Sequence, residues 1–265
     1  MKYSLVVFFF LAFSHFSIGQ TVTVGSDEVI NSIVANSQLN PAVGVDSTSG
    51  TYFAVWESLL GSGLYNVYGR TVDREGTPQG ADFLIGNQTN GRFPDIAENT
   101  NGEVVIVWTS NGADGSNDGV YGRRATANGM LLGSFSVNTT TDKNQRQPAV
   151  GISSTGAFVV VWASEDQDGD GFGIYGQRFT SAGVKDGSEF LVNNTIAGYQ
   201  GYPDIAVARD GSFIVVWQSN GTDGSGNGVY ARRFDASGTP LASQFLANST
   251  TDGNQQAPTV AIQNN

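Results

Sequence analysis

Three aspartates at alternate positions form a dense group of carboxylates in the chain: Asp166, Asp168 and Asp170. Alternate carboxylates in a glycine-containing loop can converge on one hard cation, as they do in calcium loops. The match is partial, because Gln177 stands where an EF-hand places its bidentate glutamate. Aspartate and glycine are also ordinary residues of a hairpin turn. Two interpretations stay open, a Ca²⁺ site at these three aspartates or a plain turn, and Ca²⁺ is the only cofactor that the sequence suggests.

Catalytic groups based on imidazole or thiol are nearly absent. The chain has no cysteine and one histidine, His15, which lies in a predicted leader. A Ser-His-Asp triad, a cysteine nucleophile and a histidine zinc site are therefore excluded. A carboxylate pair that cleaves glycosidic bonds remains open, since Asp and Glu number 24. We expect no catalytic residue, because no carboxylate stands out from the internal repeat of the chain.

Residues 1–19 have the features of a secretory signal peptide. Lys2 supplies the positive charge, residues 5–13 are nine consecutive apolar residues, and the small Ser17 and Gly19 precede the expected cut. Nine residues are too few to cross a bilayer core, which takes about 20. We expect a secreted or cell-surface protein whose mature chain, residues 20–265, does not insert into a membrane.

The charge of the chain limits its partners. The formal net charge is -11, with 24 acidic against 13 basic residues. Nucleic-acid binding is not expected, because affinity for phosphates depends on clustered Lys and Arg. An extracellular glycan or protein is the expected partner.

Three residue types recur in one register and divide the chain into repeats. The tryptophans are spaced by 52, 54 and 55 residues, a tyrosine follows each after 12 or 13 residues, and five of the seven prolines share one phase. The tryptophans are Trp56, Trp108, Trp162 and Trp217, and the prolines are Pro41, Pro94, Pro148, Pro203 and Pro258. The repeat units are thus 41–93, 94–147, 148–202 and 203–257, with a partial unit at 258–265.

Each unit predicts four short antiparallel strands. The first follows the proline, and the second, such as residues 158–162, is apolar at nearly every position, as in a strand that is covered on both faces. Glycine-rich turns separate the strands. Four strands in about 50 residues match one blade of a β-propeller. A sandwich made of two units is the alternative, and a β-solenoid is disfavoured because its rungs are shorter.

The ends of the chain add one strand each to this count. Residues 27–40 align with the end of a unit, and residues 258–265 supply a first strand, which makes eighteen strands. The sequence therefore predicts an incomplete propeller-type array of about four and a half blades, belonging to a longer protein with other domains. The alternative is a four-bladed ring whose surplus end strands overlap.

The repeated polar and aromatic residues are predicted to serve the scaffold. Each Trp should lie in the core between blades and not form a sugar platform. Arg70, Arg123 and Arg232, with Gln177 in the third unit, should pair with carboxylates such as Asp95 or Asp204 and stack on aromatic rings; the alternative is a ring of anion-binding donors. Four Asn-x-Ser/Thr triplets, at Asn87, Asn138, Asn193 and Asn248, are interpreted as a repeated turn and not as glycan acceptors.

Residues 213–235, FIVVWQSNGTDGSGNGVYARRFD, carry a family resemblance. This segment resembles the tandem repeats of large secreted bacterial surface proteins, and the resemblance covers nearly all of the mature chain. It implies propeller-like blades that accompany cadherin-like, calcium-binding or sorting modules, and it implies no shared activity. The first unit departs from the pattern, because residues 59–65 replace the acidic loop.

These observations together predict a non-catalytic propeller module for binding, adhesion or scaffolding outside the cell. Inter-strand loops on a rigid scaffold would supply the recognition surface. A polysaccharide hydrolase or lyase and a pure structural spacer are the alternatives.

Overall fold

The computed structural model describes residues 29–33, 36–46, 48–86, 90–112, 115–221 and 223–263, which form four sheets of four antiparallel strands. No helix occurs within these ranges. The predicted all-β, propeller-type array is confirmed, and the predicted signal peptide lies outside the described residues. The strands are β1 Gln38–Val45, β2 Tyr52–Leu59, β3 Tyr65–Val72 and β4 Pro78–Leu84 in blade 1; β5 Gly91–Glu98, β6 Glu103–Asn111, β7 Asp118–Thr126 and β8 Leu131–Ser136 in blade 2; β9 Gln145–Ile152, β10 Phe158–Glu165, β11 Phe172–Phe179 and β12 Phe190–Leu191 in blade 3; and β13 Gln200–Val207, β14 Phe213–Asn220, β15 Asn227–Phe234 and β16 Phe245–Leu246 in blade 4.

The first strand of each blade faces a common axis, and the cores lie between blades. β1 packs against β5, β5 against β9, and β9 against β13. Each second strand is buried on both faces because a neighbouring blade covers it, and the hydrophobic clusters join blades 1 and 2, 2 and 3, and 3 and 4. The four tryptophans are at most 1% exposed. The prediction that they form the core is confirmed.

A bulge at the phased proline shapes every inner strand. Each strand begins three residues before its proline, not after it as predicted, and the pairing register shifts at this point. Proline fits here because the inner strand is the edge that faces the axis, where no ladder partner needs its N–H. The preceding residue has a positive φ of 47° to 56° in all five cases: Asn40, Phe93, Gln147, Tyr202 and Ala257.

This left-handed conformation is unfavourable by about 1–3 kcal/mol for a residue other than glycine, so neighbouring groups must hold it. At Phe93, Gln147 and Ala257 the side chain that follows the Trp of the preceding blade does so, and the Tyr202 N–H instead donates to Gln147 Oε1 at 3.1 Å. Glu57 Oε1 accepts a hydrogen bond from the Phe93 N–H at 2.5 Å, and Thr109 Oγ1 accepts one from the Gln147 N–H at 3.2 Å. The two consecutive blades are thereby joined at the axis.

The phased arginines join blades farther from the axis. Each donates a hydrogen bond from Nη1 to a main-chain carbonyl near the outer edge of the preceding repeat, over 2.6–2.8 Å; the pairs are Arg70 with Ile30, Arg123 with Ile85 and Arg232 with Val192. The prediction that the phased arginines serve the scaffold is therefore correct, and Arg232 also lies over the Phe234 ring, as the predicted stacking requires. The two carboxylates named as examples are wrong, because Asp95 and Asp204 accept main-chain N–H groups instead. Arg70 does pair with a carboxylate, since its Nη1 lies 3.8 Å from Asp82 Oδ1.

Replacing Arg123 by Ala should lower the free energy of unfolding by about 1.5–3 kcal/mol, because two hydrogen bonds from a charged donor, to Ile85 O at 2.7 Å and Leu132 O at 3.0 Å, are lost. Urea unfolding of the variant measures this change. The exposed Arg233 is the matched control, and its replacement by Ala should leave the stability within about 0.5 kcal/mol. Equal losses in both variants would contradict the interblade role.

The Asn-x-Ser/Thr asparagines make one repeated turn. Asn138, Asn193 and Asn248 each accept a main-chain N–H at 2.7 Å through Oδ1. Each also donates through Nδ2 to the carbonyl two residues later. The turn interpretation is confirmed for these three, and Asn87 lies outside the described residues.

The two predicted end strands are not formed among the described residues. At the C-terminal end, residues 258–263 lie beside blade 4, where the Val260 N–H donates to Asp204 Oδ2 at 2.7 Å. At the N-terminal end, Ile30 lies beside blade 1, where its carbonyl accepts a hydrogen bond from Arg70 Nη1. The predicted count of eighteen strands is therefore not confirmed.

Candidate functional site

A cavity of about 200 Å³ lies where the four inner strands end. The last residue of each inner strand lines it, and three of these are aliphatic: Val45, Ile152 and Val207. The fourth is Glu98. The repeated scaffold thus favours an apolar residue at this position, and blade 2 places a carboxyl group there.

The Glu98 carboxyl group is held without any hydrogen bond. Both of its oxygens are buried, and no described residue donates to them. A Cβ at Gly44 would lie 3.2 Å from Oε2, so the glycine of blade 1 leaves the space that the carboxyl group occupies. Burial raises the pKa of Glu98 to about 7, and the charge of Asp46 adds to the effect. A large share of Glu98 is therefore protonated at neutral pH.

Asp46, directly after Val45, is the neighbouring carboxylate. The other blades have Asn99, Ser153 and Ala208 at this position, so it is again the only acid. The hydroxyl group of Ser49 and the N–H of Thr48, the latter at 2.8 Å from Oδ1, lower the pKa of Asp46. Asp46 therefore stays ionised while Glu98 is protonated.

Polar groups of two hairpins complete the cavity. The buried Asn99 donates to Glu103 Oε2 at 2.7 Å and to Ser153 O at 3.1 Å, which fixes the β5–β6 turn against the β9–β10 turn. The Ser154 hydroxyl donates to Arg209 O at 2.8 Å. The cavity therefore combines a protonated carboxyl group, an ionised carboxylate nearby and several hydroxyl and amide groups, a combination suited to acid–base chemistry on a sugar.

Two further carboxylates lie deeper along the axis. Asp95 Oδ2 accepts the Val150 N–H at 2.8 Å, and Asp204 Oδ2 accepts the Val260 N–H at 2.7 Å. Burial raises the pKa of Asp95 to about 7, with a smaller contribution from the charge of Asp204, and burial also raises the pKa of Asp204. Asp95 thereby joins β5 to β9, and Asp204 joins β13 to residues 258–263.

The structure does not gather the three aspartates of the β10–β11 loop around one point. Asp166 pairs with Lys143, Asp168 Oδ2 accepts from Asn193 Nδ2 at 3.4 Å, and Asp170 Oδ2 accepts the Gly198 N–H at 3.1 Å. No group of three acidic or histidine side chains suited to a metal occurs among the described residues. The turn interpretation accounts for their contacts, and Ca²⁺ binding stays a prediction.

The sequence contains a signal for Glu98 that only an alignment of the repeats reveals. When the four units are aligned on their prolines, Glu98 falls beside Val45, Ile152 and Val207. The expectation that no carboxylate stands out from the repeat is therefore wrong. A charged residue at a position that is aliphatic in every other unit is the kind of exception that a functional residue makes.

Comparisons with solved structures support the fold. An unknown-function protein from Dyadobacter fermentans matches with a TM-score of 0.67 and 14% identity, over 90% of this chain and 72% of its own. An endo-arabinase from Bacteroides thetaiotaomicron matches with a TM-score of 0.53 and 17% identity, over 79% and 81%. A GH93 α-L-arabinofuranosidase of Fusarium graminearum, in complex with arabinobiose, matches with 0.57 and 16%, over 79% and 66%. No family model and no curated protein matches the chain.

These comparisons correct the functional prediction. The endo-arabinase and the α-L-arabinofuranosidase are glycoside hydrolases, so the expectation of a non-catalytic module, and of no enzyme, is wrong. The error lies in the expectation that no carboxylate stands out from the repeat, because glycoside cleavage requires only two carboxyl groups.

None of the described segments is a helix with the length and apolarity needed to cross a membrane.

Proposed function

We propose that this chain is a glycoside hydrolase whose catalytic pair is Glu98 and Asp46. The observation that carries the proposal is the position of Glu98, the only carboxyl group in a ring of aliphatic residues around an axial cavity. A scaffold gains nothing from a buried carboxyl group that lacks a hydrogen bond, because its burial is unfavourable. The names of the similar structures, an endo-arabinase and an α-L-arabinofuranosidase, suggest arabinose-containing polysaccharides as substrates.

In this mechanism Glu98 is the general acid. Its proton passes to the glycosidic oxygen as the bond to the anomeric carbon breaks, and the leaving sugar departs as an alcohol. Asp46, which is ionised, stabilises the positive charge that develops at the anomeric carbon. One water molecule then adds to that carbon: its hydroxyl group becomes that of the new reducing end, and its proton passes to the Glu98 carboxylate, which restores the acid. Environments that separate the pKa values of two carboxyl groups in this way assign their acid and base roles.

Incubation of the chain with arabinan, arabinoxylan and β-mannan, followed by measurement of released reducing ends, tests the proposal. We expect release from at least one arabinose-containing substrate. The rate should fall on the alkaline side as Glu98, with a pKa of about 7, loses its proton, and on the acid side as Asp46, with its lowered pKa, gains one. Absence of release from all three at pH 5–6 would reject the hydrolase.

Export of the protein is part of the same proposal. The signal-like residues 1–19 would deliver the enzyme to polysaccharides outside the cell. Edman sequencing of the protein from the culture medium should begin at Gln20.

A further inference from the structure

A second cavity, of about 290 Å³, lies at the opposite end of the axis, where the inner strands begin. The side chains that matter for its chemistry are Arg92, Phe93, Arg146, Gln147, Tyr199 and Tyr202. The inner strands separate this cavity from Glu98, because Arg92 and Glu98 lie near the two ends of β5.

The two arginines of this cavity are exceptions to the repeat. Arg92 and Arg146 both stand two residues before the phased proline. The other units have Leu39, Gly201 and Gln256 at this position, so the bulged scaffold forms equally well without arginine.

Neither guanidinium group is fully used by the protein. Arg146 forms no ion pair among the described residues, and its Nε is buried without a hydrogen bond; the group stacks 4.1 Å above the Phe172 ring and makes one side-chain hydrogen bond, with Tyr199. Arg92 Nε also lacks a hydrogen bond, and it lies 3.7 Å from Glu57 Oε2. Cationic groups that are partly buried and underused are favourable for an anion that can supply acceptors.

The Glu57 carboxylate cannot serve as the anionic partner of both arginines. Its Oε1 accepts from Asn40 Nδ2 at 2.7 Å and from the Phe93 N–H at 2.5 Å, so it is committed to the bulges of blades 1 and 2. The cavity lining itself contains one carboxylate, Asp118, whose Oδ1 accepts from Asn111 Nδ2 at 3.0 Å.

Aromatic rings surround the two arginines. Tyr202 is 45% exposed, and Tyr199 has its hydroxyl group 3.4 Å from Gln147 Oε1. A Cβ at Gly201 would lie 2.2 Å from the Tyr199 hydroxyl group, so glycine at this position leaves room for that ring. Tyrosine rings present an apolar face and a polar end, which suits the faces and hydroxyl groups of a sugar.

We propose that this cavity binds a carboxylate-bearing sugar, a uronate unit of an acidic polysaccharide, with Arg92 and Arg146 on the carboxylate and the tyrosines against the ring. The site is distinct from the cavity of Glu98, and it does not depend on hydrolysis there. The overall charge of -11 disfavours nonspecific binding of anions, so recognition requires these two arginines.

Isothermal titration of the whole chain with trigalacturonate and with its methyl ester tests the proposal. The acid should bind at least about tenfold more tightly than the ester, because only the acid offers charged acceptors to the guanidinium groups. The Arg146→Gln variant should bind the acid at least about tenfold more weakly than the native chain does. Equal binding of acid and ester would overturn the proposal.

Two variants serve as controls. Arg92→Leu copies Leu39 of blade 1, so it should fold even where Arg146→Gln does not, and it should also weaken binding at least about tenfold. Glu98→Gln should bind trigalacturonate as the native chain does. Retained affinity in Arg92→Leu, or lost affinity in Glu98→Gln, would place the ligand elsewhere and overturn the assignment. Because Glu98→Gln tests hydrolysis separately, failure of one proposal does not imply failure of the other.

Discussion

Glu98→Gln is expected to lower kcat on a polysaccharide substrate by about a hundredfold or more, since general acid catalysis contributes roughly 10²–10⁴-fold. Glutamine has nearly the same shape, but it cannot donate the proton that the leaving sugar requires. Initial rates should show the loss in kcat and a nearly unchanged KM. An aryl glycoside with an acidic phenol as leaving group needs little protonation, so its cleavage should be impaired much less.

The repeat itself supplies the variants that separate catalysis from folding. Glu98→Val copies Val45 and Val207 and should fold at least as stably as the native chain at pH 8, with no activity on polysaccharide. Asp46→Asn copies Asn99 and keeps an acceptor for the Thr48 N–H, yet it should also lose activity. The exposed Glu75→Gln controls for the change of charge. Full activity in Glu98→Val would refute the assignment.

Asp95→Asn should raise the stability of the protein at pH 8 and leave it nearly unchanged at pH values below 4. In the folded chain the pKa of Asp95 is raised to about 7, against 3.8 for the free side chain. Below pH 3.8 the Asp95 side chain is protonated in both the folded and the unfolded chain. Between pH 3.8 and 7 the unfolded chain is ionised while the folded chain holds its proton, so stability falls as the pH rises, and above pH 7 the loss is complete.

The size of this effect follows from the shift in pKa. It amounts to roughly 4 kcal/mol, or an increase in Tm on the order of 10 °C for the variant at pH 8. The introduced asparagine can still accept the Val150 N–H through its side-chain oxygen. Thermal unfolding from pH 4 to 8 should show the difference between variant and native chain growing with pH, while Asp252→Asn, at an exposed aspartate, should show no such trend. A difference independent of pH would contradict burial of the ionised carboxylate as its cause.

The architecture could be predicted because its determinants are local and repeated. Trp56 and its equivalents mark a strand that must be covered on both faces, and the apolar residues around them require neighbouring blades. The bulge could not be predicted in the same way. Proline fits at this point because the inner strand is an edge strand at the axis, and the sequence of one unit does not show which strand is at that edge. The sequence therefore predicted the start of each inner strand at least three residues after its true position.

The candidate site was harder to predict, because its chemistry depends on residues far apart in sequence. The pKa of Glu98 is raised first by burial, in the space beside Gly44, and then by the charge of Asp46, and neither follows from the local sequence. Similarly, the carbonyl group that accepts a hydrogen bond from Arg123 belongs to another blade. Comparison of the units identifies exceptional residues such as Glu98, but only the three-dimensional arrangement shows which of them meet.

The left-handed residue before each proline has a consequence for how new specificities could arise in this fold. Side chains of the neighbouring blade accept the main-chain N–H of Phe93, Gln147, Tyr202 and Ala257, while the residue type at this position differs from blade to blade. Phe93 and Tyr202 use only their N–H groups in these bonds, whereas the side chains of Asn40 and Gln147 are themselves hydrogen-bonded. Blades 2 and 4 therefore each contribute one replaceable side chain at the mouth of the axis. Substitution at these positions can diversify ligand recognition one blade at a time while the underlying framework is preserved.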